Sequence, residues 1–379
     1  MRIAILQGAF LPVPALLGGA VEKMWFSLGK EFAKNGHEVV HVSRSIDQLP
    51  NEEVIDGVQH FRIKGYATPA SGIVLKGLDL LYTIRARKLF AEEFDIVISN
   101  TFWAPLFLPV KARRVCMVDV QRMPKKQMKL YRNTAILRAN SNPVATAIRN
   151  ELPKVYHEKV VMIPNPLPFT PQYKVDFAEK KPTLLYTGRI HPEKGLHLLV
   201  EAFKKTANGY TLKIVGPWQV SAGGGGEAYL EQLRKLAGDA PIEFTGPVYD
   251  VEALNKFYID ASIFVYPSVA EQGETFGLSP LEAMAWGCVP VVSALGCFQD
   301  FITHGLNGLI FDHRSAEAVD QLAAHISALQ KDKKYCEHLA TEALAVRLSH
   351  STAHIAELFL AAFKNICQTA PQQKIIAVS

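Results

Sequence analysis

The sequence predicts an α/β protein made of two doubly wound, Rossmann-like domains, and three observations carry that expectation. Apolar runs of strand length alternate with helical patterns through the first half; a proline-rich segment then interrupts both; after it the same alternation begins again. Near-continuous apolar strands separated by helices belong to parallel sheets covered on both faces. Such sheets bind ligands outside the carboxyl ends of their strands, and two such edges are expected to face each other across a cleft.

The first half contains strand-length runs at residues 3–6, 39–42, 58–63, 95–99, 115–118 and 160–163. Residues 21–35 show helical spacing, with Met24, Phe26, Leu28 and Phe32 as apolar positions. Residues 164–171 then hold four prolines in eight residues, which can continue neither a helix nor a central strand and so form a linker. Beyond it, strands are expected at 184–187, 212–215, 242–245, 263–266, 289–292 and 309–311, with helices at 196–205, 229–237, 251–258 and 280–286. This divides the chain into a first domain over 1–165, a second over 166–350, and a C-terminal stretch over 351–379. In that stretch residues 351–368 read as an amphipathic helix, a candidate to pack back on the first domain, and a loose tail follows Pro371.

Composition excludes several classes. No run approaches the ~20 apolar residues of a membrane helix. Residues 1–6 imitate the start of a signal peptide, but Pro12, Pro14 and the Gly18–Gly19 turn break the run, so a buried first strand is the better reading. The five cysteines are scattered with no C-x-x-C pair, which fits a reduced compartment and a cytoplasmic location and argues against structural zinc. Twelve dispersed histidines with no H-E-x-x-H give no sign of a metal catalyst. The net charge of +5 does not call for nucleic acid.

The chemistry concentrates in two loops. Glu271 to Met284 follows a strand, and in it Ser279, Pro280 and Glu282 read as N-cap, N1 and N3 of a helix with a capping box. The helix N-terminus, approached through Gly277, is a natural phosphate cradle. Capping alone would account for Glu282 but not for Glu274, which precedes the helix in a glycine-containing loop. A second loop, residues 187–195, also follows a strand. It places Arg189 and Lys194 five residues apart, a fork and a point charge suited to a diphosphate.

Together, G-R-x-x-x-x-K-G (Gly188 to Gly195) and E-x7-E (Glu274 to Glu282) resemble the motifs of the family 4 retaining glycosyltransferases, which have the GT-B fold. The resemblance extends over most of the chain, through Gly18 and Gly19 with Glu22, Pro164 and Asn165 at the linker, and Asn307, Gly308 and Leu309. It implies that Arg189 and Lys194 hold the donor diphosphate, that Glu274 contacts hydroxyls of the transferred sugar, and that Glu282 contacts the ribose. The N–H groups of Phe276, Gly277 and Leu278 would bind phosphate, Gly188 would also bind the donor, Gly18 and Gly19 would close from the other domain, and Val248 would flank the base. It further implies transfer from a nucleotide-diphosphate sugar to a carbohydrate or lipid-linked acceptor, with no metal or other cofactor, in polysaccharide, lipopolysaccharide or glycoconjugate assembly. No D-x-D motif contradicts metal independence. A nucleotide-sugar epimerase, a phosphorylase on the same fold and a non-catalytic nucleotide-sugar binder are the competing functions.

The chain departs from the family at four places. Asp119 stands at or near the position of a usual histidine, where it reads equally as a sugar-hydroxyl contact or as a strand-end cap. Pro166 replaces a glycine after Pro164 and Asn165, and residues 216–218 lack a second glycine. Residues 223–226 are four consecutive glycines, which reads more readily as a tolerated surface insertion than as a mobile lid. Separately, Arg113, Arg114, Arg122, Lys125, Lys126, Lys129 and Arg132 gather positive charge in the first domain. They read either as a solvated face or as a peripheral contact with the anionic inner face of a membrane; few aromatics interleave with them, which disfavours nucleic acid.

Overall fold

A computed structural model describes residues 1–206 and 209–369. The chain divides into two compact units: residues 1–168 joined by the C-terminal segment from His350, and Phe169–Ser349.

The first unit is built on an eight-stranded sheet. Its strands are β1 (Arg2–Leu6), β2 (Glu38–Arg44), β3 (Glu52–Ile55), β4 (Val58–Ile63), β5 (Ile96–Ser99), β6 (Cys116–Val120), β7 (Ile136–Ala139) and β8 (Val160–Met162). The spatial order is β3-β4-β2-β1-β5-β6-β7-β8, and every pairing is parallel except β3 with β4. Its helices are α1 (Ala20–Lys34), α2 (Gly72–Ala86), α3 (Ala104–Phe107), α4 (Val110–Arg114) and α5 (Asn142–Glu151). Alternation along β1 shows why both faces are covered. Ile3 and Ile5 pack with Trp25, Leu28 and Phe32 of α1, whereas Ala4 and Leu6 share the opposite cluster with Tyr82 of α2 and Ile148 of α5.

Two strands were not expected from the sequence. The hairpin of β3 and β4 turns through Asp56 and Gly57, both at positive φ, and the D-G pair was its available signal. Strand β7 holds Arg138, a cation that reads as surface in the sequence but whose side chain is fully buried.

The second unit has six strands, all parallel: β9 (Lys181–Thr187), β10 (Thr211–Val215), β11 (Ile242–Gly246), β12 (Ala261–Tyr266), β13 (Val289–Ser293) and β14 (Leu309–Phe311), in the order β11-β10-β9-β12-β13-β14. Its helices are α6 (Leu196–Thr206), α7 (Glu227–Ala237), α8 (Val251–Asp260), α9 (Leu278–Ala285), α10 (Ala318–Lys331), α11 (Lys333–Ala343) and α12 (Val346–Ser349). The central strand β9 buries Leu184, Leu185 and Tyr186 in succession, as a strand covered on both faces must.

The last helix, α13 (Thr352–Thr369), belongs to the first unit. Ile355, Phe359 and Phe363 complete the face formed by Ile3, Ile5 and α1, with Phe359 tilted against Trp25 at 5.0 Å. The tail expected after Pro371 lies outside the described residues. Among the described residues no helix is long and apolar enough to cross a membrane.

Candidate active site

The carboxyl ends of β9, β10, β11 and β12 carry the residues of the cation loop and its neighbours. The chain leaves β9 at Gly188 and leaves β10 at Gly216, and both glycines have positive φ. A Cβ on Gly216 would collide with the carbonyl oxygen of Gly188, so these two exits lie too close for any side chain. The loop closes in a short 3-10 turn, Pro192–Lys194, ended by Gly195 in the left-handed region. A Cβ on Gly195 would meet the carbonyl of Pro267, which is how the loop after β9 comes to lie against the loop after β12. Val269 donates its N–H to the Glu193 carbonyl at 2.9 Å, fixing the same contact.

This packing brings Lys194 to Glu274. Lys194 Nζ donates to Glu274 Oε2 at 2.7 Å, and the side chains are only 8% and 12% exposed. The ammonium also sits 5.4 Å from the centre of the Tyr266 ring, which stacks on Tyr186 at 5.5 Å. Burial, followed by the charge of Glu274, pushes both phenols well above their ordinary range, so they stay protonated. Tyr186 donates to the Arg189 carbonyl at 2.8 Å and holds the cation loop from beneath.

Arg189 is the more exposed cation. Its Nη2 donates to Glu193 Oε1 at 2.7 Å and its Nη1 to the Gly223 carbonyl at 2.6 Å. The i, i+4 spacing of Glu193 was a signal in the sequence; Gly223, thirty-four residues away, gave none. The four glycines are therefore neither a loose insertion nor a lid. Gly225 donates to the Ile190 carbonyl at 2.8 Å and Gly226 to the Trp218 carbonyl at 2.7 Å. Gly224 is buried, where a Cβ would run into the backbone of Trp218. Composition suggested mobility, but the run is glycine because its backbone is clamped between two other segments.

Helix α9 starts earlier than expected. Gly277 is its N-cap, at φ 93°, with no side-chain cap hydrogen bond. Ser279 and Pro280 thus fall at N2 and N3, and the capping box read from the sequence does not form. A left-handed glycine makes the entry turn instead, because a side chain there would strike Phe298. Glu282 consequently faces another partner: Tyr258, buried in α8, donates to its Oε2 at 3.0 Å and shares a 2.6 Å hydrogen bond with Thr187 at the end of β9. Phe276 is buried against Phe301, and Leu278 opens the helix. Val248 lies half-buried in the turn between β11 and α8.

The remaining predicted residues lie in the first unit. Gly18 and Gly19 both have positive φ and lead into α1, with Gly19 as its N-cap. A Cβ on Gly19 would collide with the carboxylate of Glu22, whose ionisation burial disfavours. Asp119 is the penultimate residue of β6, and its side chain is fully buried. Its oxygens take Arg138 Nη1 at 2.7 Å, Trp25 Nε1 at 2.8 Å and Gln121 Nε2 at 2.9 Å. Arg138 in turn donates to Asn165 Oδ1 at 2.8 Å. The carboxylate is the counter-ion of a buried guanidinium, an arrangement invisible without β7. Among the described residues no three His, Cys, Asp or Glu side chains gather as a metal site would require.

Two parallel-sheet Rossmann-like units define the GT-B class of fold, the class of the glycosyltransferases it resembles. The crystal structure of Anabaena HepE in complex with UDP and glucose matches with a TM-score of 0.69 at 17% identity, over 96% of this chain and 100% of that one. Residues 172–345, within the second unit, match the family model of Glycosyl transferases group 1. An uncharacterized glycosyltransferase of Methanocaldococcus jannaschii is 24% identical over 347 residues, 82% of this chain and 84% of that protein. The lipopolysaccharide 1,2-N-acetylglucosaminetransferase of Salmonella typhimurium is 28% identical over 51% of this chain and 50% of its own length. The family match lies within the second unit, and these likenesses support glycosyl transfer as the reaction class.

Proposed function

We propose that the protein is a retaining, metal-independent glycosyltransferase that takes a nucleotide-diphosphate sugar and passes its hexosyl group to a carbohydrate or lipid-linked acceptor in polysaccharide or lipopolysaccharide assembly. The observation that carries this reading is the convergence of Lys194, Glu274, Arg189 and the start of α9 at Gly277 at one edge of the second sheet.

Breaking the anomeric bond leaves negative charge on the departing diphosphate. Two cations and a helix N-terminus placed at a sheet edge stabilise that charge, and they do for the leaving group what a divalent metal does elsewhere. In this reading Lys194 faces the diphosphate while Glu274 keeps it in place and presents its other oxygen to the sugar. Arg189 exchanges one of its present partners, Glu193 or Gly223, for a phosphate oxygen. Glu282, oriented by Tyr258, takes the ribose hydroxyls, Val248 borders the base, and Gly18 and Gly19 let backbone approach the donor. The retaining outcome rests on the family resemblance, and the lipopolysaccharide setting on that resemblance and the name of the Salmonella relative.

The test is nucleotide release from a panel of UDP-, GDP-, ADP- and dTDP-sugars, with and without EDTA, alongside calorimetric binding. Selective binding with EDTA-insensitive release is expected. Binding without release in the presence of any acceptor, or release abolished by EDTA, would overturn the proposal. Conversion of the donor with no nucleotide released would mark an epimerase.

A further inference from the structure

Helix α2 is built inside out. Its buried face holds Asp79, Tyr82, Thr83 and Ala86, while Ile73, Val74, Leu81 and Ile84 are exposed, Ile73 by 86% and Ile84 by 53%. At 100° per residue Ile73, Gly77 and Ile84 form one outward stripe, with Leu81 on its flank. Scattered exposed apolar residues need no explanation, but a stripe on a helix that turns Asp79 and Thr83 inward does.

The inversion is held firmly. The Asp79 carboxylate accepts the N–H groups of Phe102 and Trp103 at 3.0 and 3.3 Å, and Trp103 Nε1 donates to the Lys76 carbonyl at 2.7 Å. These bonds tie α2 to the start of α3, so the helix cannot roll its apolar side inward without orphaning buried donors.

Charge then selects the occupant. Over residues 72–90 the only acid is the buried Asp79, whereas Lys76, Arg85, Arg87 and Lys88 are all exposed. The surface continues onto α3, which packs against α2 and exposes Phe107. The 3-10 turn Met128–Tyr131 touches α3 in turn and exposes Lys129 and Leu130. That turn lies within the basic run of residues 122–132. We propose that the outer face of α2 is a docking surface for an anionic phospholipid bilayer. Apolar side chains enter the headgroup boundary while the flanking lysines and arginines meet lipid phosphates, the combination that holds interfacial helices in place. This inference is independent of the donor chemistry proposed above.

The experiment is co-sedimentation of the full chain with vesicles of phosphatidylcholine alone and of phosphatidylcholine mixed with phosphatidylglycerol. Wild-type protein is expected to pellet with the anionic vesicles, weakly with the neutral ones, and less as salt rises. The double variant Ile73→Glu, Ile84→Glu is expected to lose about tenfold or more in partitioning. Arg87→Glu with Lys88→Glu should lose the preference for anionic lipid. Thermal unfolding establishes that each variant is folded; both pairs are exposed, and whichever pair folds tests the surface. Absence of pelleting, equal pelleting on both compositions, or unchanged pelleting of the folded variants would overturn the proposal. So would sedimentation velocity showing a wild-type dimer that Ile73→Glu, Ile84→Glu dissociates, because the stripe would then be covered by a second copy.

Discussion

Two ion pairs of equal length sit near the carboxyl ends of strands, one in each unit. Arg138 and Asp119 meet at 2.7 Å with no side-chain exposure, and Lys194 and Glu274 meet at 2.7 Å with a small opening to solvent. The first pair is enclosed by further hydrogen bonds with Trp25, Gln121 and Asn165, which leave Arg138 Nε unpartnered. The second binds through Glu274 to Lys194 and to the Tyr266 side chain, beside glycine turns and the glycine-led start of α9. Distance therefore does not separate the sealed pair from the one proposed to meet the donor; their exposure does. A sealed pair contributes through the cost of breaking it, whereas a partly open one is within reach of an entering ligand.

Substitutions should pull these roles apart. Lys194→Ala or Glu274→Ala is expected to lower donor turnover by about a hundredfold or more, with a thermal midpoint near wild type. Native activity in either folded variant would show that this pair is structural as well. Removing one member of the sealed pair, by Arg138→Met or Asp119→Leu, should cost roughly 3–5 kcal/mol in denaturant unfolding, because a buried charge is left without its partner. The double replacement should recover much of that loss, and a double variant as unstable as the sum of the singles would refute the pairing argument.

A pH titration sharpens the contrast further. His41 and His60 stack at 5.2 Å between β2 and β4, fully buried, with Arg62 and Glu53 as the charged neighbours. Burial, then the nearby Arg62 charge, lowers His60 to about 4, and burial also holds His41 well below the free imidazole range. The unfolded chain takes up these protons near pH 6.5, so stability is complete above that value and falls as pH drops toward about 4. Unfolding measured from pH 7 to 4 should show this loss in the first unit, and His60→Gln should flatten the slope. The smallest effect belongs to the glycine run. Gly224→Ala should raise the donor KM several-fold through the Trp218 backbone and Arg189, with stability changed by roughly 1 kcal/mol; no change would restore the reading as a tolerated insertion.

Much of this architecture was legible because burial on both faces writes itself as apolar runs. Residues 58–63 coincide with β4, and residues 3–6 and 39–42 lie within β1 and β2. Strand β7 escaped because Arg138 interrupts it, and a cation in a strand becomes intelligible only beside Asp119. The cap of α9 was misread because Ser279 and Pro280 are favoured starters, whereas the backbone of Gly277 makes the turn one residue before the helix. The glycines at 223–226 were misread because composition reports freedom in the unfolded chain, not the hydrogen bonds that remove it. The loops holding Arg189, Lys194 and Glu274 were visible as sequence motifs. That Glu193 and Gly223 occupy Arg189 was not, because the second partner comes from a distant turn.

The assignment of α13 to the first unit has a consequence for how the chain is made. Residues 169–349 form one uninterrupted stretch with all six strands of their own sheet, so this unit has everything it needs as soon as it leaves the ribosome. The unit that begins synthesis first is in the opposite position. Ile3, Ile5 and Trp25 wait for Ile355, Phe359 and Phe363, and until those residues emerge an apolar face of its sheet stays uncovered. Of the two units, the one translated first is thus the last to be completed, and during that interval its uncovered apolar face is open to aggregation.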